Sequence, residues 1–246
     1  ISDFTVSKQG TIWAIDMWGN MYCSKQGLEN TLSEPDINPK IYELDWSYQE
    51  ITSQVPLCIA GDDDDLWIAT DEGCLIHYNG LTFNNYTGVE NPIRIKKVNG
   101  RFFLLGHDRE VLSLVDGQWV SLSFADDVPD NTPINDITFL NGKLIFVSAI
   151  GMILECQDDQ PIEVLHKENS QSFFGCDVID NVLYIAAGDK GAFRYIGGKL
   201  EQIKDGYIFM SANEINNEMI FCPAATKEAT FGRYLPKEDK WLFVPC

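Results

Sequence analysis

One short apolar pattern recurs six times along the 246-residue chain. It reads Ile12-Trp13-Ala14-Ile15, Leu66-Trp67-Ile68-Ala69, Phe102-Phe103-Leu104-Leu105, Leu144-Ile145-Phe146-Val147, Leu183-Tyr184-Ile185-Ala186 and Met219-Ile220-Phe221-Cys222, with first residues 54, 36, 42, 39 and 36 positions apart. Turn-forming residues precede each one: Gln9-Gly10, Asp64-Asp65, Asn99-Gly100, Asn141-Gly142, Asp180-Asn181 and Asn216-Asn217. Asn-Gly between apolar runs signals a hairpin, because both residues tolerate positive φ. Each unit therefore opens with a strand, turns, and enters a strongly apolar second strand.

The remainder of the repeat agrees. Turns such as Trp18-Gly19, Glu72-Gly73, Ile150-Gly151 and Lys190-Gly191 lead into third strands at Cys74–Tyr78, Val111–Val115, Ile153–Cys156 and Ala192–Ile196. Tight turns follow (Asn79-Gly80, Asp116-Gly117, Asp158-Asp159, Gly197-Gly198), then a fourth segment with paired apolar residues, as in Tyr48/Ile51, Phe83/Tyr86 and Trp241/Val244. No stretch carries helical periodicity over three turns. Four short strands at a period near 40 mark β-propeller blades. The expectation is an all-β, six-bladed propeller, one domain over 1–246 with blades at about 1–54, 55–90, 91–128, 129–170, 171–204 and 205–246. Residues 26–40, with Pro35 and Pro39, read as an insertion in the first blade. The short strand Phe4–Val6 lies either innermost in the blade completed by Tyr48–Ile51 or against the last blade, closing the ring.

The segment Leu66-Trp67-Ile68-Ala69-Thr70-Asp71-Glu72-Gly73-Cys74-Leu75 resembles the repeat of the regulator-type (two-component regulator) propellers, with fainter echoes at Ile12–Trp18 and Leu183–Gly191. That resemblance implies a propeller used as a sensor domain or binding platform. Fold alone does not assign function.

Charge narrows the partners. The chain carries 18 Lys and Arg against 37 Asp and Glu, a formal charge of −19. A phosphate backbone requires clustered cations, so nucleic acid is not an expected partner. With 6 Trp, 9 Tyr and 14 Phe the chain has the apolar content to fold, unlike acidic disordered segments. Apolar runs reach only about five residues, against roughly 20 for a membrane span, so no membrane association is expected. No basic region followed by an apolar stretch opens the chain, so no signal peptide is expected, and the start at Ile1 rather than Met points to trimming. Seven cysteines, at 23, 58, 74, 156, 176, 222 and 246, form no Cys-x-x-Cys pair. Buried free thiols and a cytoplasmic location are the expectation.

Catalytic signatures are sparse. His77, His107 and His166 lack metal-ligand spacing, and no nucleophile elbow, P-loop or zincin motif occurs. No enzymatic activity and no cofactor are expected. Aligning the innermost strands by their distance from each anchor places Arg94, Lys96, Asp136, Asp177 and Asn213 along a central channel. There the cations are expected to satisfy the carboxylates. A cation site at Asp136, Asp177 and Asn213 and an anion site at Arg94 and Lys96 are the alternatives. Asp62-Asp63-Asp64-Asp65 lacks the alternating spacing of a calcium loop and reads as a solvated turn.

The turns between second and third strands, with the links between blades, gather Asp16, Trp18, Asp71, Glu72, Asp108, Glu110, Asp126, Asp127 and Asp130, joined by Glu90. Arg109, Lys167, Lys190, Lys204 and Lys227 stand against them. An acidic face bearing an exposed Trp18 suits capture of a basic protein. Its concrete form is an immunity protein neutralising a bacterial toxin. The alternatives are a ligand-sensing fragment of a larger receptor and a metal-dependent propeller hydrolase with a channel site.

Overall fold

The computed structural model describes residues 2–24, 46–87, 91–158, 160–223 and 230–245. The predicted insertion at 26–40, the second residue of the Asp158-Asp159 turn, Glu90, Lys227 and Cys246 lie outside them. All regular structure among the described residues is β, in six four-stranded antiparallel sheets built from consecutive strands. The first holds β1 (Asp3–Val6), β2 (Ile12–Ile15), β3 (Asn20–Ser24) and β4 (Trp46–Glu50). The second holds β5 (Pro56–Asp62), β6 (Asp65–Thr70), β7 (Cys74–Tyr78) and β8 (Phe83–Thr87). The third holds β9 (Pro92–Val98), β10 (Arg101–Gly106), β11 (Val111–Val115) and β12 (Gln118–Ser121). The fourth holds β13 (Ile134–Leu140), β14 (Lys143–Ser148), β15 (Met152–Cys156) and β16 (Glu163–Lys167). The fifth holds β17 (Gly175–Ile179), β18 (Val182–Ala186), β19 (Ala192–Ile196) and β20 (Lys199–Lys204). The sixth holds β21 (Phe209–Ile215), β22 (Glu218–Pro223), β23 (Thr230–Leu235) and β24 (Lys240–Pro245). Each sequence anchor is a second strand, and β1 pairs with β2, so it belongs to the first sheet.

The hairpins follow the turn chemistry. Asn99-Gly100, Asn141-Gly142, Asp116-Gly117, Asp180-Asn181 and Asn216-Asn217 hold positive φ at both residues. That conformation matches the twist of paired strands and favours Asn, Asp and Gly. Burial peaks in the second strands, where five of six residues in β6 and in β10 are buried, whereas the outer β4 is exposed throughout.

Contacts divide the chain into two compact units, 1–106 with 113–119 and 107–112 with 120–246. In the first, Trp13, Ile15 and Met21 of the first sheet pack against Ile59, Leu66, Ile68 and Ile76 of the second. In the second, Ile145, Val147 and Ile153 pack against Cys176, Leu183 and Ile185. Ile179 and Tyr184 in turn meet Phe209, Phe221 and Tyr234. Within each unit these neighbouring sheets thus bury their apolar faces against each other, as a propeller blade must because it cannot cover itself. The six described cysteines are free thiols, and Cys58, Cys156 and Cys176 are buried.

Candidate functional site

In the first unit the turn after β2 is organised by one carboxylate. Asp16 accepts the N–H of Trp18 at 2.9 Å and of Asn20 at 3.0 Å, the Asn20 amide at 3.0 Å and the Tyr22 hydroxyl at 2.7 Å. Its side chain is therefore buried and engaged inward, which corrects its placement on the acidic face. Burial alone would raise the carboxyl. The bonds from Asn20, Tyr22 and Trp18 outweigh it and lower the value from 3.8 to about 2. Charged Asp16 thus stabilises the folded turn above about pH 3.8, and that contribution disappears as pH falls through about 2. Asp16→Asn should be less stable than the parent near neutrality, with the gap closing across that window in acid denaturation series.

The turn so fixed holds Trp18 77% exposed beside exposed Met17. Gly19 closes it at φ 86°, where a Cβ would stand 1.9 Å from the Thr52 carbonyl oxygen, so no other residue fits. The 51–55 link continues to the turn after β6. Val55 N–H donates to Asp71 at 3.1 Å, and the Gln54 amide donates to Glu72 at 2.9 Å. Trp18 and Glu72 therefore stand on one bonded platform. Asp71 is half-buried and committed to that link, whereas Glu72 is exposed.

In the second unit, Asp108, Glu110, Asp126, Asp127 and Asp130 are exposed. Asp130 forms an ion pair with Arg109, whose guanidinium also donates to the Val128 carbonyl at 2.8 Å. Of the acidic residues singled out in the sequence, Asp16, Asp71, Glu72 and Asp130 thus have partners within their own unit.

The inner strands carry a different device. Asp136, fully buried in β13, accepts the Cys176 N–H of β17 at 2.9 Å and the Ile137 N–H at 2.8 Å. Asp177 in β17 accepts the Glu214 N–H of β21 at 2.9 Å, with Thr138 Oγ1 at 3.1 Å on its other oxygen. In the first unit Asp3 of β1 accepts the Ile59 N–H of β5 at 3.0 Å. Each carboxylate thus ties its innermost strand to that of the next sheet. Burial pushes the Asp3 carboxyl up, against the N–H groups of Ile59 and Phe4 and the positive charge of Arg94. Arg94 and Lys96 are half-buried in β9, and the Asn213 amide donates to Ser211 Oγ at 3.2 Å. Among the described residues, no group of three His, Cys, Asp or Glu side chains is arranged to hold a metal ion.

Three of the four turn aspartates at 62–65 are engaged rather than merely solvated. Asp62 meets Lys8 Nζ at 3.2 Å and Lys97 Nζ at 3.3 Å, and Asp63 accepts from Ser7 at 2.9 Å and the Trp13 indole at 2.7 Å. Asp65 pairs with Lys97 at 3.3 Å and with His77 at 3.1 Å. His77 in turn stacks on Trp67 at 4.3 Å, as a packed residue. His107 is exposed, and His166 lies 5.5 Å from the Tyr195 ring.

No protein-family model and no curated protein matches the sequence. Solved structures do resemble the fold. The WD40 β-propeller domain of Doa1 superposes with TM-score 0.75 at 10% identity, over 100% of this chain and 82% of that one. YCF48 bound to a D1 peptide gives TM-score 0.68 at 11% identity, over 98% and 79%. The extracellular domain of a hybrid two-component system from B. thetaiotaomicron gives 0.59 at 12%, over 89% of this chain and 36% of that one. These likenesses support propeller repeats in general and single out no regulator-type family. Six sheets of four antiparallel strands and these neighbours define an all-β, six-bladed propeller.

Proposed function

We propose that this chain is a single-domain, non-enzymatic binding propeller that holds a basic protein on its turn-and-link loops. The observation that carries this reading is Trp18, held in water on a turn locked by its neighbouring carboxylate. A large exposed aromatic on a rigid support loses little conformational entropy on binding, which is what interface anchors require. Exposed Glu72, Asp108, Asp126 and Asp127 supply the negative field that would steer a cationic partner. That a neighbour such as YCF48 was solved with a bound peptide supports a polypeptide partner in general. The concrete form is an immunity protein that neutralises a toxin with a cationic cleft. Buried free thiols suit the cytoplasm as its location. A second reading, a ligand-sensing propeller within a larger receptor, draws on the likeness to the two-component extracellular domain.

Charge reversal tests the steering. Asp126→Lys with Asp127→Lys should slow association of the partner about ten-fold at low salt and leave dissociation nearly unchanged. Stopped-flow rates that ignore both the reversal and added salt would remove the acidic surface from the proposal. Asp71 is a poorer site for this test, because its carboxylate also holds the Val55 N–H.

A further inference from the structure

We propose that the second unit contains a binding site for a small organic anion with an apolar body, independent of the protein-binding reading. The site is a cavity of about 770 Å³ where the turn after β14, the turn after β18 and the links before β17 and β21 converge. Ligand pockets typically enclose about 300–1,000 Å³. Its walls are fixed by backbone bonds: Glu168 N–H to the Gly151 carbonyl at 2.8 Å, Phe173 N–H to that of Ser148 at 3.0 Å, and the reciprocal Gly188–Phe209 pair at 2.9 and 3.1 Å. The cavity is therefore present before any ligand arrives, so binding does not have to order the loops.

Its lining has two chemistries. Ile150, Phe174, Ile208 and Met210 present apolar surface, and Ile208 is 50% exposed. Lys167 and Lys190 supply positive charge against the one lining carboxylate, Asp189. This inverts the balance of a chain with 18 cationic and 37 acidic side chains. Lys167 has no ion-pair or hydrogen-bond partner for its ammonium among the described residues, and Lys190 has only the long 3.8 Å pairing with exposed Asp189. Glu168, next in sequence to Lys167, accepts from the Ser170 hydroxyl at 3.1 Å. The side-chain oxygen of Gln171 is buried without a partner in the same wall. Apolar walls with two under-used ammonium groups fit a ligand carrying a carboxylate, sulfonate or phosphate on an aromatic or aliphatic body. A purely hydrophobic ligand would leave the lysines idle, and a bare inorganic anion would leave the walls wet.

The probe is 8-anilinonaphthalene-1-sulfonate, with its uncharged parent N-phenyl-1-naphthylamine as control, titrated by fluorescence against the whole folded chain. The sulfonate should bind saturably at one site, about ten-fold more tightly than the neutral dye. Lys167→Gln with Lys190→Gln should abolish that preference and leave neutral-dye binding in place, whereas Ile208→Asp should weaken both dyes. Circular dichroism of each variant should match the parent. Non-saturating binding, equal affinity for the two dyes, or a preference that survives the lysine replacements would each overturn the proposal. Trp18→Ala should leave dye affinity unchanged, so the loss of either reading is distinguishable from loss of the other.

Discussion

Replacing Asp136 by alanine is expected to destabilise the fold by about 3 kcal/mol, the scale of a charge-assisted bond removed from a buried donor. Two effects oppose each other here. Burying a carboxylate is costly, so its removal relieves a desolvation penalty. The Cys176 and Ile137 N–H groups cannot be removed with it, and the Cys176 donor loses the acceptor that links β13 to β17. An unpartnered buried N–H costs more than the relieved carboxylate returns, so destabilisation wins. Asp136→Asn keeps an acceptor oxygen and should cost roughly 1 kcal/mol. The exposed Asp126→Ala should stay within about 0.5 kcal/mol of the parent. Urea unfolding midpoints give all three values. Equal midpoints for Asp136→Ala and Asp126→Ala would show that the inner-strand carboxylates do not clamp neighbouring sheets.

Trp18→Ala should act in the opposite sense, on binding and not on stability. With Trp18 77% exposed, the folded state loses few contacts, and the unfolding midpoint should hardly move. An interface anchor of this type contributes at least about 2 kcal/mol, so partner affinity should fall roughly thirty-fold. The Asp16 bonds leave the turn intact in the variant, because they use the backbone N–H of residue 18 and not its ring. A merely solubilising surface would show no such loss.

How far the sequence carried each conclusion follows from the range of the forces involved. The anchors and the Asn-Gly turns were legible because hairpin geometry is local: residues such as Asn141 and Gly142 dictate positive φ whatever surrounds them. The Asp16 turn was also written locally, in a carboxylate two and four residues before the N–H groups it accepts, yet it reads on first inspection as one more surface charge. The clamps at Asp3, Asp136 and Asp177 were not legible as clamps. They sit at different distances before their anchors, and a register shift between Ile134 and Asp136 moves one of them off the regular alternation. Their partners are backbone groups of another sheet, which leave no trace in residue type. The cavity beside Lys167 is built from four loops, and although the repeat marks the turns Ile150-Gly151 and Lys190-Gly191, it does not say which links converge on them. The 62–65 turn was placed correctly between β5 and β6, but its cationic partners, Lys8 in the turn before β2 and Lys97 in β9, lie far away along the chain.

Paired affinity capture from the native cell, with the parent chain and Trp18→Ala as baits, bears most directly on the binding face. The parent should retain one basic protein in one-to-one ratio, released by about 0.5 M salt, where the Debye length shrinks to roughly 4 Å, and Trp18→Ala should retain little of it. Equal capture by both baits, or a partner that is acidic and indifferent to salt, would contradict a basic protein held at Trp18.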